Sequence, residues 1–275
     1  MATNRSEGKV ETGKGLRIGV IGGAGWLGGA IAGALLDTRV VEPQDLSLSY
    51  RRAHPGRFPG AFWTSDNQAL ADRSDVIILS VRPADWPDLK VNAAGKLVVS
   101  VMAGIRLDVL CERHQTRRVV RSLPNAFAEV RKSYTPWVAA ADAGEADRAV
   151  VRTIFDACGF QDEVGTEGEI DYLTGLTGSG PAFPALLAEA MMSDAVAHGL
   201  DRQVARRAVN AVLVGAGRLL EQRDDCPTET VKTFLDYRGT TAAAIEEMIK
   251  AGFGTAVMRG LTAAFEKSVR MGETS

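Results

Sequence analysis

From Leu16 to Val164 short apolar runs alternate with stretches whose apolar residues recur at helical spacing, the pattern of a parallel sheet covered on both faces. The runs predict eight strands: Arg17–Ile21, Leu46–Tyr50, Ala61–Thr64, Val76–Val81, Leu97–Val101, Arg118–Ser122, Tyr134–Ala140 and Gly159–Val164. Helices are expected between several of them, at Leu27–Leu36 and Glu145–Cys158 among others. After Val164 the strand runs stop and the chain reads almost entirely as helices. One opens near Ser179-Gly180-Pro181, where proline suits a first turn, repeats Phe183, Leu186, Leu187, Ala190 and Met191 at helical spacing, and ends at Gly199. Asp201 caps the next, Val204–Leu220, which is apolar over much of its circumference through Ala208 and Ala211-Val-Leu-Val-Gly-Ala216. A helix of that kind in so short a domain needs a partner surface, which predicts an intimate dimer. The fold class expected is α/β: a mostly parallel N-terminal sheet followed by an all-helical domain, with 1–15 as a loose leader, 16–164 as the sheet domain and 165–275 as the helical one.

Composition narrows the function. With 45% hydrophobic and 24% charged residues the chain is an ordinary globular one, not a collagenous or disordered one. Its 32 Lys and Arg against 34 Asp and Glu give a net charge of −2, so no basic field holds nucleic acid or an anionic membrane. A small-molecule partner is favoured. Cys111, Cys158 and Cys226 show no paired spacing and read as reduced cytosolic thiols. Met1–Gly15 has neither the apolar run of a secretory signal nor that of an anchor, and a cytoplasmic location is expected. His54, His114 and His198 lie in unrelated segments without ligand spacing, so no metal is expected.

The strongest local signal is Gly22-Gly-Ala-Gly-Trp-Leu-Gly28, with Gly23, Gly25 and Gly28 at dinucleotide-fingerprint spacing after a strand and before a helix. Glycine lets such a turn close and lets backbone approach a pyrophosphate at the positive end of the helix; the bland alternative is a tight turn. Trp26 within it reads as a lid or as packing, with packing preferred. An NAD-preferring site usually ends its second strand, roughly 20 residues beyond the glycines, with an acidic residue. This chain has Tyr50-Arg51-Arg52 there. Two guanidinium groups suit a 2′-phosphate, so NADP(H), with NADPH preferred over NADH, is the expected cofactor, against the alternative of a solvated basic loop that also includes Arg57. Towards the C-terminus Gly239-Thr240-Thr241 begins a helix, offering free N–H groups, two hydroxyls and the helix dipole to a carboxylate, unless the threonines only cap it.

Further segments fall in a fixed order: Asp75-Val-Ile-Ile-Leu-Ser-Val-Arg-Pro83, Ser100-Val-Met-Ala-Gly-Ile105, Arg121-Ser-Leu-Pro-Asn125, Leu173-Thr-Gly-Leu-Thr-Gly-Ser-Gly-Pro-Ala-Phe183 and Gly239-Thr-Thr241. Together these resemble the pyrroline-5-carboxylate reductases, from about Leu16 to the C-terminus. The resemblance implies a Rossmann domain joined to a helical dimerisation domain, with NADPH reducing the C=N bond of a cyclic imine acid to give proline. It implies that Gly22, Gly23, Gly25, Trp26 and Leu27 surround the pyrophosphate, and that Arg51 and Arg52, beside Tyr50, take the adenosine phosphate. Val81, Arg82 and Pro83 then lie along the cofactor, while Ala103, Gly104 and Asn125 approach the nicotinamide. Val81 and Ala103 also read as strand-end filling, and Asn125 as a turn residue. At the substrate end it implies Ser179, Gly180, Gly239, Thr240 and Thr241, with Thr241 at the ring nitrogen; Arg238 joins them on its own chemistry, and Asp224 is a weaker candidate to stabilise the nitrogen's charge, or equally a solvated loop acid. A homodimer through the C-terminal helices follows, with assembly into a larger ring left open.

The chain departs from the family where Ser-Pro-Gly-Gly becomes Asp236-Tyr237-Arg238-Gly239. A serine donor is lost, Asp236 repels a carboxylate, and Arg238 either neutralises Asp236 or grips the carboxylate itself. The Pro-Asn-Thr-Pro-Ala loop likewise becomes Pro124-Asn-Ala-Phe-Ala128, and Glu129-Val-Arg-Lys-Ser133 replaces a glycine-rich stretch. These changes keep two alternatives alive: an NADP-dependent reductase of another imine or enamine acid, and a dinucleotide-binding relative without catalysis. A β-hydroxyacid dehydrogenase is disfavoured, because Gly180 to Gly199 contains no lysine to serve as its acid or base.

Overall fold

The computed structural model describes residues 15–223 and 226–273. The leader expected over 1–15 therefore lies, but for Gly15, outside the described residues, as does Asp224. All eight predicted strands form: β1 Ile18–Ile21, β2 Leu46–Ser49, β3 Phe62–Thr64, β4 Val76–Leu79, β5 Leu97–Ser100, β6 Val119–Ser122, β7 Ser133–Ala139 and β8 Gly159–Glu163. They make one sheet in the order β3-β2-β1-β4-β5-β6-β7-β8. Every neighbouring pair is parallel except β6 with β7. The helices of this part are α1 Trp26–Asp37, α2 Asn67–Asp72, α3 Leu107–His114, α4 Glu145–Cys158 and α5 Glu167–Leu173.

The two-residue period of the strands sorts the core into two layers. Ile18, Val20, Val76, Ile78, Leu97 and Val99 face one side, where Ile31 and Leu35 of α1 and Ile154 and Phe155 of α4 cover them. Ile21, Ile77, Leu79, Val98 and Val119 face the other, against Leu70 of α2, Trp86 and Leu110 of α3. Because β1 is flanked by β2 on one side and by β4 on the other, the strand order reverses beside it. In sheets of this kind the crevice beyond the strands' carboxyl ends at that reversal is where ligands bind.

A buried cation ties later segments to this sheet. Arg121 of β6, with its side chain 1% exposed, lies 3.0 Å from Glu167 and 2.5 Å from Asp171, both on α5. The Ser268 hydroxyl donates to the same Asp171 at 3.1 Å. The chain divides into two compact units accordingly: one reaches Gly178 and takes in the chain again from Lys267, and the other is Ser179–Glu266. The boundary expected at 164/165 falls between β8 and α5.

The second unit is helical: α6 Ala182–Ala197, α7 Arg202–Gln222, α8 Pro227–Asp236, α9 Thr240–Lys250 and α10 Phe253–Glu273, whose last turns belong to the first unit. Asp201 caps α7 by accepting from the N–H groups of Gln203 and Val204. Pro181 stands at the N-cap of α6, one residue ahead of the helix rather than within its first turn. Of this unit's described hydrophobic residues only Ala205, Val209 and Ala242 are buried. No helix among the described residues is long and apolar enough to cross a membrane.

Candidate active site

The glycine-rich turn is built by sterics. Gly22 has φ +85°, and a Cβ there would stand 2.2 Å from the Ser80 carbonyl oxygen on the neighbouring strand's exit. A Cβ on Gly28 would stand 2.5 Å from the Gly22 oxygen, so the turn and α1 approach closely only with glycine at both places. Gly25 is the N-cap of α1 and no side chain caps it, leaving the helix's first N–H groups for an anion. No acidic residue lies in that first turn to compete. Ser49, at the end of β2, steadies the turn by accepting the Gly22 N–H at 2.9 Å.

Beyond this turn a cleft of about 1050 Å³ opens over the ends of β1, β2, β4 and β5. Its lining includes Gly22, Gly25, Trp26, Leu27, Tyr50, Arg51, Arg52, Val81, Arg82, Pro83 and Ala103, thus bringing together most of the residues expected at a cofactor. Gly23, Gly104 and Asn125 do not line it. Gly23 is buried beneath the turn. Gly104 (φ +79°) packs where a Cβ would meet Met271 at 2.8 Å. The buried Asn125 side chain accepts the Phe127 N–H and donates to the Thr177 carbonyl, each at 3.0 Å. The residues present fit a dinucleotide: an uncapped helix start under glycines for the pyrophosphate, and two exposed arginines where an adenosine ribose would carry its phosphate.

Three features escaped the reading of the sequence. Trp26 is not packed: it is 66% exposed, and its indole N–H donates to Glu129 at 2.9 Å. Arg57, counted with the basic loop, reaches back to the Ala24 carbonyl at 3.3 Å and lies against Gly29. Asp85 forms ion pairs with both Arg51 and Arg82 at the cleft mouth. Hydrogen bonds from Arg82 first, then Arg51, hold its carboxyl below the usual carboxylate range. Arg82 lies only three residues from Asp85, but nothing local announced the other partners: Glu129 lies 103 residues from Trp26, and Arg51 reaches Asp85 from the far side of β1.

In the helical unit, Gly239 is the N-cap of α9 and no side chain caps it, so neither threonine acts as the cap. Thr240 and Thr241 occupy the first two helical positions, both exposed. Arg238 has φ +51°, a left-handed conformation at a place the family pattern fills with glycine. No ion pair joins Arg238 to Asp236 among the described residues. Ser179 and Gly180 are half-buried just ahead of α6. No group of His, Cys, Asp or Glu among the described residues is arranged to hold a metal.

A glycine turn at the strand-order reversal, with an uncapped helix behind it and a basic second-strand exit, defines a dinucleotide-binding protein of the Rossmann class. Two family models match in the same order along the chain: one for NADP oxidoreductase, coenzyme F420-dependent, over residues 17–104, and one for pyrroline-5-carboxylate reductase dimerisation over residues 167–271. A pyrroline-5-carboxylate reductase of Methanosarcina acetivorans is 30% identical over 271 residues, covering 94% of this chain and 98% of its own. One from Synechocystis is 29% identical over 267 residues, covering 94% and 99%. The fold is shared with a Plasmodium falciparum pyrroline carboxylate reductase solved with NADP bound, at a TM-score of 0.80 and 24% identity, over 94% of this chain and 98% of that one. The chain belongs to the pyrroline-5-carboxylate reductase family.

Proposed function

We propose that the chain reduces the C=N bond of 1-pyrroline-5-carboxylate to L-proline with NADPH, as an oxidoreductase acting on a CH–NH group. The observation that carries this reading is the 30% identity to the Methanosarcina enzyme, which runs through both units rather than through the nucleotide fold alone. The cofactor, when bound, supplies hydride. The protein supplies position, charge and shelter from water. The backbone of Gly22 and Gly25, with Trp26 and Leu27, holds the pyrophosphate at the start of α1, and the buried Gly23 shapes the turn beneath it. Tyr50, Arg51 and Arg52 hold the phosphorylated adenosine, which favours NADPH over NADH. Val81, Arg82 and Pro83 lie along the dinucleotide and Ala103 serves its nicotinamide end; Gly104 and Asn125, which do not line the cleft, act through the backbone they fix.

The substrate carboxylate is taken by the uncapped start of α9, with Arg238, Gly239, Thr240 and Thr241, and with Ser179 and Gly180 beside it. Thr241 contacts the ring nitrogen, and Asp224 stabilises its positive charge. A ring nitrogen already protonated needs no further acid for hydride to reach the adjoining carbon. In this reading residues 16–164 form the NADP-binding domain and 165–275 the substrate and dimerisation domain. The match to a dimerisation model and the exposed apolar helices indicate oligomerisation. A homodimer in the cytoplasm is the form proposed, with a larger ring as its further assembly.

Arg238 in place of glycine favours a second reading, reduction of a different cyclic imine acid. Both are tested by following NADPH oxidation, with NADH alongside, on pyrroline-5-carboxylate and then on six-membered and sulfur-containing imine acids. Faster turnover of the five-membered ring is expected; turnover of another ring alone establishes the second reading. Thr241→Ala is expected to raise KM for the imine about fivefold, the loss of roughly one hydrogen bond, with NADPH affinity unchanged. Unchanged kinetics would remove Thr241 from the site.

A further inference from the structure

The mouth of the cleft carries an ion pair that the cofactor reading does not require. Asp85 sits on the short 3-10 turn Pro83–Asp88 after β4, whereas Arg51 sits on the exit of β2. These strands flank β1 on opposite sides, so a contact between the two exits spans the glycine-rich turn. The Asp85 carboxylate lies 3.1 Å from the Arg51 guanidinium and 2.7 Å from Nε of Arg82. It is the more enclosed partner, 29% exposed against 65% for Arg51 and 73% for Arg82. Arg52, next to Arg51, has no ion pair among the described residues. Asp88 lines the same mouth without pairing to either arginine.

A carboxylate fork and a phosphate compete for the same face of a guanidinium group, because both bind it through paired, charge-assisted hydrogen bonds. We propose that Asp85 is a specificity-determining residue of this cleft: it holds Arg51 in an internal ion pair that a ribose 2′-phosphate must displace, and so it tempers the preference for NADPH over NADH. The inference rests on the reading of Arg51 and Arg52 as the 2′-phosphate site. NADH carries no such phosphate and leaves the pair intact. Asp85 therefore lowers affinity for one cofactor while leaving the other unchanged, and Arg52 remains free to make first contact with the phosphate.

The test is the dissociation constant of NADPH and of NADH, read from tryptophan fluorescence of the full chain, for wild type, Asp85→Asn, Arg51→Ala and the double variant. Asp85→Asn is expected to tighten NADPH about two- to fivefold, the range of an exposed ion pair, and to leave NADH unchanged. Asp85→Ser, which removes the same charge with a smaller side chain, is expected to act in the same direction. In the Arg51→Ala background the effect of Asp85→Asn should vanish. A gain of equal size in that background would mean that Asp85 merely repels the phosphate, and would overturn the proposal. So would equal changes for both cofactors, no change, or a loss of NADH affinity that marked Asp85 as a ribose-hydroxyl acceptor. Arg51→Ala separates the two levels: if it lowers the NADPH preference while Asp85→Asn does nothing, the competition fails and the 2′-phosphate reading stands. If it leaves the preference unchanged, both fail together.

Discussion

The two units bury their apolar residues on different terms. In the sheet unit, Ile18, Leu46, Ile78, Val99 and Phe155 are wholly removed from solvent by the unit's own helices. In the helical unit Leu186, Val212, Val214, Ile249 and Met258 stand at 54% exposure or more. At about 25 cal/mol for each Å² of apolar surface covered, the first unit has drawn most of its stabilisation from within. The second has left much of its own to be drawn from association. The difference assigns the two failures a mutation can cause: folding in one unit, assembly in the other.

Three changes test that contrast, beginning with the largest effect. Arg121→Leu leaves the Glu167 and Asp171 carboxylates without their buried cation and should cost about 3–5 kcal/mol of unfolding free energy, read by denaturant titration. A loss below 1 kcal/mol would mean that the sheet unit does not depend on this hub. Val212→Asp, on the exposed face of α7, should split the assembly at micromolar concentration in sedimentation while the circular dichroism of the monomer stays native. If it unfolds the chain instead, the helical unit has a core of its own and the contrast breaks.

The third effect is a slope of stability with pH. His114 is wholly buried, with Nδ1 donating to the Val91 carbonyl and Nε2 accepting the Trp86 indole N–H, which requires a neutral ring. Burial lowers its pKa from 6.5. The unfolded chain therefore binds a proton that the folded chain refuses. Stability is full above the unfolded pKa and falls as pH drops from there towards the depressed folded pKa, by up to about 1.4 kcal/mol per pH unit. His114→Gln should flatten that segment of the stability curve. An unchanged slope would move its source elsewhere.

Strands were the most legible part of the sequence, because β1, β4 and β5 are covered on both faces and so carry unbroken apolar runs. The glycine turn was legible because its geometry excludes side chains at Gly22 and Gly28. What could not be read depended on distant partners. Trp26 resembles a packing residue until Glu129 is placed beside it, and Asp85 resembles a solvated turn acid until Arg51 is brought across β1. Arg121 was visible within a motif, yet its burial depends on Asp171, 50 residues later. At Gly239 the two threonines masked a simpler start, in which glycine itself is the N-cap.

The docking of the last turns of α10 bears on how the protein is made. Asp171 leaves the ribosome 97 residues before the Ser268 that donates to it, and Gly104 emerges long before the Met271 it packs against. All of the helical unit is synthesised in that interval. The sheet can form early, but its Arg121 hub stays open towards α10 until the whole helical unit has been synthesised, so the nascent nucleotide-binding unit is completed only after its helical neighbour has emerged.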